Sequence, residues 1–303
     1  MIEVRDLSKS FGDTVAVDGL SFVLRPGRVT GFLGPNGAGK TTTMRMMLGL
    51  DRPTAGEVLL DGLPYRRLAR PLLRVGALLN AGAVHGGRTA CHHLWWQARS
   101  NGIPRTRVAE VLELTGLTGV ARRRVRGFSL GMTQRLGLAA ALLGDPPVLL
   151  LDEPVNGLDP EGVLWIRNLL KGLAAEGRTV FVSSHLMSEM ALTAEHLIVI
   201  GRGRLLADTT VREFVESGSR SHVLIRTPDP ARMRETLAAA GIPTEQTPDG
   251  ALAAHGTEPA RIGELAAAHG LTVHEITTRP ASLEEAFLRL VGDAAEYRGE
   301  GTR

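Results

Sequence analysis

Short apolar segments alternate with amphipathic ones along most of the chain. Near its start, Ile2–Val4 and Ser21–Leu24 alternate apolar with polar residues, which predicts antiparallel strands. Mostly apolar runs predict buried strands at Val29–Leu33, Glu57–Leu60, Val75–Leu79, Val148–Leu151, Thr179–Ser183 and Leu197–Ile200. Helical periodicity predicts helices at Lys40–Leu48, Gln134–Leu143 and Glu161–Ala175. This alternation of strands and helices predicts a largely parallel sheet covered on both faces.

The segment from about residue 85 to 128 has a different character. His92–Arg99 and Arg107–Leu114 have helical periodicity and are flanked by turn residues. We therefore expect a small helical insertion in the α/β unit.

A linker is expected near Ser217-Gly218-Ser219, where small flexible residues interrupt the pattern. Beyond it we predict a strand, a helix, a hairpin, a helix and a strand, at Val223–Arg226, Ala231–Ala240, Asp249–Gly250, Ala260–His269 and Thr272–Ile276. This βαββαβ order is typical of a ferredoxin-like domain. A last helix, Leu283–Val291, follows. The predicted domains are therefore 1–217 and 221–292, with a flexible tail at 293–303.

Composition and charge exclude several classes of protein. The formal net charge is only +3, and the one basic run, Arg122-Arg123-Arg124 with Arg126, has no aromatic ladder beside it, which is typical of a solvated face and argues against nucleic-acid binding. Cys91 is the only cysteine, so the chain forms no internal disulfide. No stretch reaches about 18 uninterrupted apolar residues, and the first residues are charged. We therefore expect a soluble chain that reaches a membrane only through a partner.

A glycine-rich segment between a predicted strand and a predicted helix fits the phosphate-binding loop pattern. Its backbone N–H groups and the helix N-terminus attract phosphate oxygens. Lys40 can reach the β- and γ-phosphates, and the Thr41 hydroxyl can bind Mg²⁺. The predicted nucleotide-binding residues here are Gly34, Pro35, Asn36, Gly37, Ala38, Gly39, Lys40, Thr41 and Thr42.

Two carboxylates follow the apolar strand Val148–Leu151. Asp152 is expected at the carboxyl edge of the sheet, where Mg²⁺ would bind. Glu153 comes next and is placed to activate a water against the γ-phosphate as a general base. An apolar strand that ends in Asp-Glu is weak evidence alone, but it is strong evidence when a phosphate-binding loop precedes it.

A third motif, Phe128-Ser129-Leu130-Gly131-Met132-Thr133-Gln134-Arg135, resembles the signature sequence of ATP-binding-cassette (ABC) ATPases. Ser129 and Gly131 match the phosphate-contacting positions, whereas Leu130 and Met132 depart from the glycines usual there. Ser129 could equally serve as a helix cap. Asp159, within Asn156-Gly157-Leu158-Asp159, resembles a residue of the D-loop of this family, and His185 resembles its switch histidine. The segment from Ser282 to Leu290 resembles the C-terminal segment of ATPases that are paired with exporter permeases of the drug-resistance type.

The resemblance implies further residues, a fold and partners. Phe11 matches the aromatic residue that stacks on adenine, and Asn80 occupies the Q-loop position, where Gln or Glu is usual. The implied fold is a P-loop ABC ATPase core, with a mixed sheet, an antiparallel β subdomain and the helical insertion. The implied cofactors are ATP and Mg²⁺, bound between the two chains of a dimer. Trp95 and Trp96 are expected to pack within the insertion, or one of them, if exposed, to contact the membrane permease that this family binds through the insertion.

The resemblance also implies where the protein acts. A separate membrane permease would bind the chain at the helical insertion, on the cytoplasmic face of the cell membrane, and transport would be export. The alternative is a soluble ABC ATPase that acts on ribosomes or nucleic acid. Such proteins usually carry two cassettes or a long coiled coil, and this sequence shows one cassette and no heptad run.

Overall fold

A computed structural model of the chain describes residues 1–218, 221–247 and 249–296. The chain divides into two units, Met1–Val211 and Arg212–Arg303. Among the described residues, no helix combines the length and the apolar character that a membrane span requires.

The first unit contains a six-stranded sheet, a three-stranded sheet and the helices around them. Its strands are β1 (Ile2–Phe11), β2 (Thr14–Leu24), β3 (Arg28–Leu33), β4 (Ala55–Leu60), β5 (Val75–Leu78), β6 (Val148–Asp152), β7 (Thr179–Ser183), β8 (His196–Gly201) and β9 (Arg204–Thr210). Its helices are α1 (Lys40–Met47), α2 (Ala90–Ser100), α3 (Arg105–Leu114), α4 (Leu130–Leu142), α5 (Pro160–Ala175) and α6 (Met187–Thr193). Helix α7 (Val211–Gly218) leads into the second unit.

The large sheet has the strand order β5-β6-β7-β3-β8-β9 and is parallel except for β9, which runs antiparallel to β8. Strands β3, β6 and β7 are neighbours, so their carboxyl ends meet at one edge. Phe32 and Phe181 lie fully buried in this sheet with ring centroids 4.8 Å apart. The smaller sheet, β2-β1-β4, is antiparallel throughout. The predicted mixed, largely parallel core with an antiparallel β subdomain is confirmed.

The helical insertion consists of α2, α3 and two short 3₁₀ turns, Thr118–Val120 and Val125–Gly127. Its buried apolar side chains come mainly from facing sides of α2 and α3: Leu94, Ala98, Val108, Val111 and Leu112. Trp95 and Trp96 are not part of this core, because 38% and 54% of their surfaces are exposed. The prediction that these two residues pack within the insertion is therefore wrong, since the buried residues of α2 are Ala90, His93, Leu94 and Ala98.

The second unit consists of β10 (His222–Arg226), α8 (Pro230–Ala239), β11 (Thr244–Gln246), β12 (Leu252–His255), α9 (Pro259–Ala268), β13 (Glu275–Arg279) and α10 (Leu283–Glu296). Its strands form an antiparallel sheet with the order β11-β12-β10-β13. The sequence order and the pairing give the ferredoxin-like arrangement that the sequence predicts. Its core packs Val223, Ile225 and Leu252 of the sheet with Met233 and Leu237 of α8 and Ile262 of α9.

Several elements differ from their prediction. Helix α7 includes Ser217 and Gly218, where a linker is expected, while residues 219 and 220 lie outside the described residues. Strand β9 is not predicted, because its pairing with β8 and not its own alternation makes it a strand. Strand β13 begins at Glu275 and not at Thr272, since its ladder with β10 ends there. Helix α10 extends to Glu296, past the expected start of the tail, and residues 297–303 lie outside the described residues.

Candidate functional site

The phosphate-binding loop joins the carboxyl end of β3 to the N-terminus of α1. Gly37 and Gly39 have φ angles of +80° and +104°, a region that residues with a side chain rarely adopt. A Cβ atom at Gly39 would also lie 2.5 Å from the carbonyl oxygen of Ala16. The loop therefore needs glycine at this position, both for its backbone conformation and for its contact with β2.

The loop borders a cleft of about 250 Å³. Its lining combines residues from the loop, β2, α1 and the end of β6: Ala16, Asn36, Gly37, Ala38, Gly39, Lys40, Thr41, Thr42, Asp152 and Glu153. Two predicted members of the loop, Gly34 and Pro35, contribute carbonyl groups that hold Lys40. The structure thus brings the glycine-rich segment and the two carboxylates of β6 together around one space.

Lys40 is a buried cation beside this cleft. Its Nζ atom donates hydrogen bonds to the carbonyl oxygens of Gly34 at 2.6 Å and Pro35 at 3.3 Å. Burial lowers the pKa of Lys40, while the charges of Glu153 and Asp152 act in the opposite direction. No carboxylate among the described residues forms an ion pair with this ammonium group. A phosphate group in the cleft would supply the missing anion, so the residues present fit a nucleoside triphosphate.

Asp152 connects three elements at the carboxyl edge of the sheet. Its Oδ2 atom accepts a 2.6 Å hydrogen bond from the Thr41 hydroxyl of α1, and its other oxygen accepts one from the Ser183 hydroxyl at the end of β7. Among the described residues, no three His, Cys, Asp or Glu side chains cluster as a metal site. Mg²⁺ is usually held by one or two carboxylates together with substrate phosphates, so the Thr41 and Asp152 oxygens fit this ion.

Glu153 has a backbone conformation in the left-handed region, with φ +49°, and hydrogen bonds fix both its backbone and its side chain. Its N–H donates hydrogen bonds to the carbonyl and hydroxyl oxygens of Ser183, at 3.2 and 3.0 Å. Its carbonyl accepts a 3.0 Å hydrogen bond from the side-chain amide of Gln134, and its Oε2 atom lies 2.8 Å from Nδ1 of His185. These contacts offset the cost of the left-handed conformation and fix the direction of the carboxylate.

The signature residues lie apart from the lining of this cleft. Ser129 caps α4 by accepting a 3.2 Å hydrogen bond from the Met132 N–H, and Asp159 caps α5 by accepting one of 2.8 Å from Gly162. A Cβ atom at Gly131 would lie 3.1 Å from the carbonyl oxygen of Gly157. The signature and D-loop segments therefore touch each other within the chain, with both helix N-termini open to solvent around their caps.

Phe11 and Asn80 also lie outside the residues that line the cleft. Phe11 is 52% exposed at the end of β1, with the Lys9 ammonium 4.8 Å from its ring centroid. Asn80 follows β5 and is exposed, and its Oδ1 atom accepts a 2.9 Å hydrogen bond from the Gly82 N–H. Their roles at the nucleotide stay predictions.

Sequence reasoning missed three residues of the site. Ala16 of β2 lines the cleft, Ser183 bonds both to Asp152 and to Glu153, and Gln134 bonds to the Glu153 carbonyl. A signal existed for Ser183 and Gln134, because each lies within a motif singled out for a neighbour. Ala16 carries no chemical signal, since it contributes its backbone and a methyl group.

Comparison with known proteins places the chain in a family. A profile described as ABC transporter matches residues 17–156, and a domain of unknown function matches residues 221–284. The bacitracin transport ATP-binding protein BcrA of Bacillus licheniformis is 35% identical over 96% of this chain and 97% of the relative. The Nod factor export ATP-binding protein I of Cupriavidus metallidurans is 36% identical over 96% of this chain and 97% of the relative.

A solved structure agrees with these relatives. The dimeric structure of a bacterial ABC transporter cassette superposes with a TM-score of 0.65, at 26% identity, over 70% of this chain and 99% of the cassette. The predictions of family, fold class and ATPase function are confirmed, and the ribosomal alternative finds no support among these relatives. The chain belongs to the family of ABC transporter ATP-binding proteins and is an ATP-hydrolysing subunit of such a transporter.

Proposed function

We propose that this chain powers export as one half of a dimer, in which each ATP lies between the phosphate-binding loop of one chain and Ser129 of the other. The observation that carries this proposal is the composition of the cleft. It contains Lys40, Thr41 and both carboxylates, but neither Ser129 nor Gly131 lines it. The cleft thus has the residues for the metal and the general base but lacks the signature residues. A second copy of the chain would supply those signature residues in a two-fold dimer.

Residue roles follow from the geometry of the cleft. Lys40 supplies positive charge to the β- and γ-phosphates, and the N–H groups of the loop surround the phosphate oxygens. Mg²⁺, held by Thr41 and Asp152, would neutralise charge on the same phosphates. Ser129 and the N-terminus of α4 would add a further anion-binding surface from the opposite chain.

Glu153 is the proposed general base. Its side chain lines the cleft, where the carboxylate can accept a proton from a water molecule that attacks the γ-phosphate. His185 contacts the carboxylate through Nδ1 at 2.8 Å, which orients Oε2 and leaves Oε1 to the water. His185 is exposed, so it can also reach a phosphate that enters from solvent.

The names of the relatives support export as the direction of transport, through a separate permease. Their names specify bacitracin transport and Nod factor export, and they cover nearly the whole of this chain. We infer that a membrane permease binds the helical insertion and holds the subunit at the membrane. The residues that line the cleft all belong to the first unit, so we assign the second unit to dimer support or regulation.

Complementation between two inactive variants tests the shared site. Lys40→Ala disables the loop side, and Ser129→Arg places a bulky cation on the signature side, so each variant alone should lose hydrolysis. In a mixed dimer, the intact loop of the Ser129→Arg chain faces the intact signature of the Lys40→Ala chain. Mixing should therefore restore hydrolysis and Mg²⁺-dependent ATP trapping at one site per dimer. A mixture as inactive as its components, in which mixed dimers form, would contradict the proposal.

A further inference from the structure

The helix that follows His185 is too short to be stable by itself. Helix α6 has seven residues, which is just under two turns, and no side chain caps its N-terminus. Isolated helices of this length are marginal in water, so tertiary contacts must hold α6 in place. Its position matters for the site, because His185 lies two residues before its start and contacts the Glu153 carboxylate.

Apolar packing holds α6 against the large sheet but leaves a gap towards α5. Met190 is buried and lies so close to Gly31 of β3 that a Cβ atom there would overlap its Sδ atom. Between α5 and α6, by contrast, there is a cavity of about 20 Å³, and Val163, Ile166 and Leu170 are among its lining residues. The apolar contact between the two helices is therefore incomplete.

An ion pair spans this gap. Nη2 of Arg167, in the middle of α5, donates a 2.7 Å hydrogen bond to Oε2 of Glu189, in the first turn of α6. Only 21% and 25% of the two side-chain surfaces are exposed, so solvent screens this pair less than it screens a pair on the surface. Nε of Arg167 is buried without an acceptor among the described residues. Loss of Glu189 would therefore leave a half-buried cation without its anion.

We propose that the Arg167–Glu189 ion pair positions His185 for hydrolysis, because it holds α6 on α5 and thereby keeps the imidazole at the Glu153 carboxylate. Neither Arg167 nor Glu189 lines the nucleotide cleft, so both act through His185 and are positioning residues. This role depends on the function proposed for Glu153 and His185, but not on ATP being shared between two chains.

Steady-state kinetics of the full chain test the proposal. Arg167→Met keeps an unbranched side chain beside the cavity and removes the charge, so α6 loses its tie to α5. We expect kcat for ATP hydrolysis to fall about tenfold, since a small displacement of a catalytic group can cost ~10²-fold in rate. KM for ATP should not change, because the phosphate-binding loop is untouched. Arg167→Lys restores the charge and should recover most of the wild-type kcat.

Asp145→Asn is a matched control that breaks a different ion pair. Asp145 pairs with Arg178 and Arg107, and it precedes β6, at the opposite end of this strand from Asp152. Its backbone is left-handed, with φ +50°, a conformation that asparagine also tolerates. We therefore expect kcat and KM of Asp145→Asn to stay near wild type.

A double-mutant cycle with His185→Ala separates positioning from general damage. If the ion pair acts through His185, adding Arg167→Met to His185→Ala should lower kcat no further. A purely structural role would instead give losses that multiply. Hydrogen exchange adds a readout that does not depend on turnover. Arg167→Met should speed amide exchange in residues 187–193, whereas Asp145→Asn should not.

The outcomes also separate this role from the proposed function. A lowered kcat in His185→Ala together with a wild-type kcat in Arg167→Met, or losses that multiply in the double variant, would overturn the positioning role alone. A wild-type kcat in His185→Ala would overturn the role of His185 and the positioning role with it. An ATP-induced rise in melting temperature, equal in wild type, Arg167→Met and Arg167→Lys, verifies that the variants are folded.

Discussion

The buried side chain of Gln134 donates a 3.0 Å hydrogen bond to the carbonyl oxygen of Glu153. Gln134 lies one turn into α4, the helix that Ser129 caps. Glu153 holds the proposed catalytic carboxylate in a left-handed backbone conformation. This bond therefore joins the surface that would meet the second chain to the residue that would activate water.

Replacing Gln134 tests whether that bond positions the general base. Gln134→Leu leaves the Glu153 carbonyl without its donor, at a cost of about 1–3 kcal/mol. We expect kcat for ATP hydrolysis to fall about tenfold with KM for ATP unchanged, because the phosphate-binding loop is untouched.

Two controls separate positioning from general damage. Gln97→Leu changes a glutamine of the insertion that does not line the cleft, and it should leave both constants near wild type. Gln134→Glu cannot donate while it is ionised, so it should match the leucine variant at neutral pH. A wild-type kcat in Gln134→Leu, or a rise in KM alone, would contradict the hypothesis that Gln134 positions Glu153.

Lys40 should reduce the stability of the nucleotide-free protein. Burial lowers its pKa, which means that the charged form is less favoured in the folded chain than in water. We expect Lys40→Met to raise the melting temperature at pH 7 without ATP and to abolish the further rise that ATP causes in wild type. Differential scanning fluorimetry measures both effects.

The sign of the pH dependence follows from the lowered pKa of Lys40. Below that pKa the folded chain holds a penalised cation, and above the ordinary lysine pKa the amine is neutral in both the folded and the unfolded chain, so the penalty disappears. The difference in stability between Lys40→Met and wild type should therefore shrink as pH rises from 7 towards about 10. A wild type that is more stable than the variant at pH 7 would contradict this interpretation.

Asn80 offers a test at the Q-loop position. Its Oδ1 atom accepts from Gly82 N–H, so a purely local role in the turn after β5 has a geometric basis. We nevertheless expect Asn80 to reach the metal or the attacking water through one solvent molecule. Asn80→Ala should then lower the steady-state ATPase rate modestly, and Asn80→Gln should keep or raise it. Equal rates for the wild type and both variants, with and without the permease, would leave only the local role.

The sequence predicted the α/β core, the ferredoxin-like order and the phosphate-binding loop well, because each has a strong local pattern. Gly37, Gly39 and Lys40 act through their own backbone and charge, so spacing alone identifies them. Strand β9 has no such pattern, and only its antiparallel pairing with β8 reveals it.

Contacts between segments that are distant in the sequence could not be predicted from the sequence alone. Ser183 and Gln134 serve the site by bonding to Asp152 and Glu153, and nothing in their own chemistry distinguishes them from ordinary polar residues. The exposure of Trp95 and Trp96 likewise depends on which side of α2 faces α3.

The mass of the Glu153→Gln variant in solution tests the shared ATP site most directly. Loss of a general base slows hydrolysis ~10²–10⁴-fold, so this variant should retain ATP between two chains. Light scattering on a sizing column should give the mass of a monomer without nucleotide and twice that mass with ATP and Mg²⁺, with Ser129→Arg in the same background staying monomeric. A Glu153→Gln chain that binds ATP and remains a monomer at every protein concentration would contradict the account.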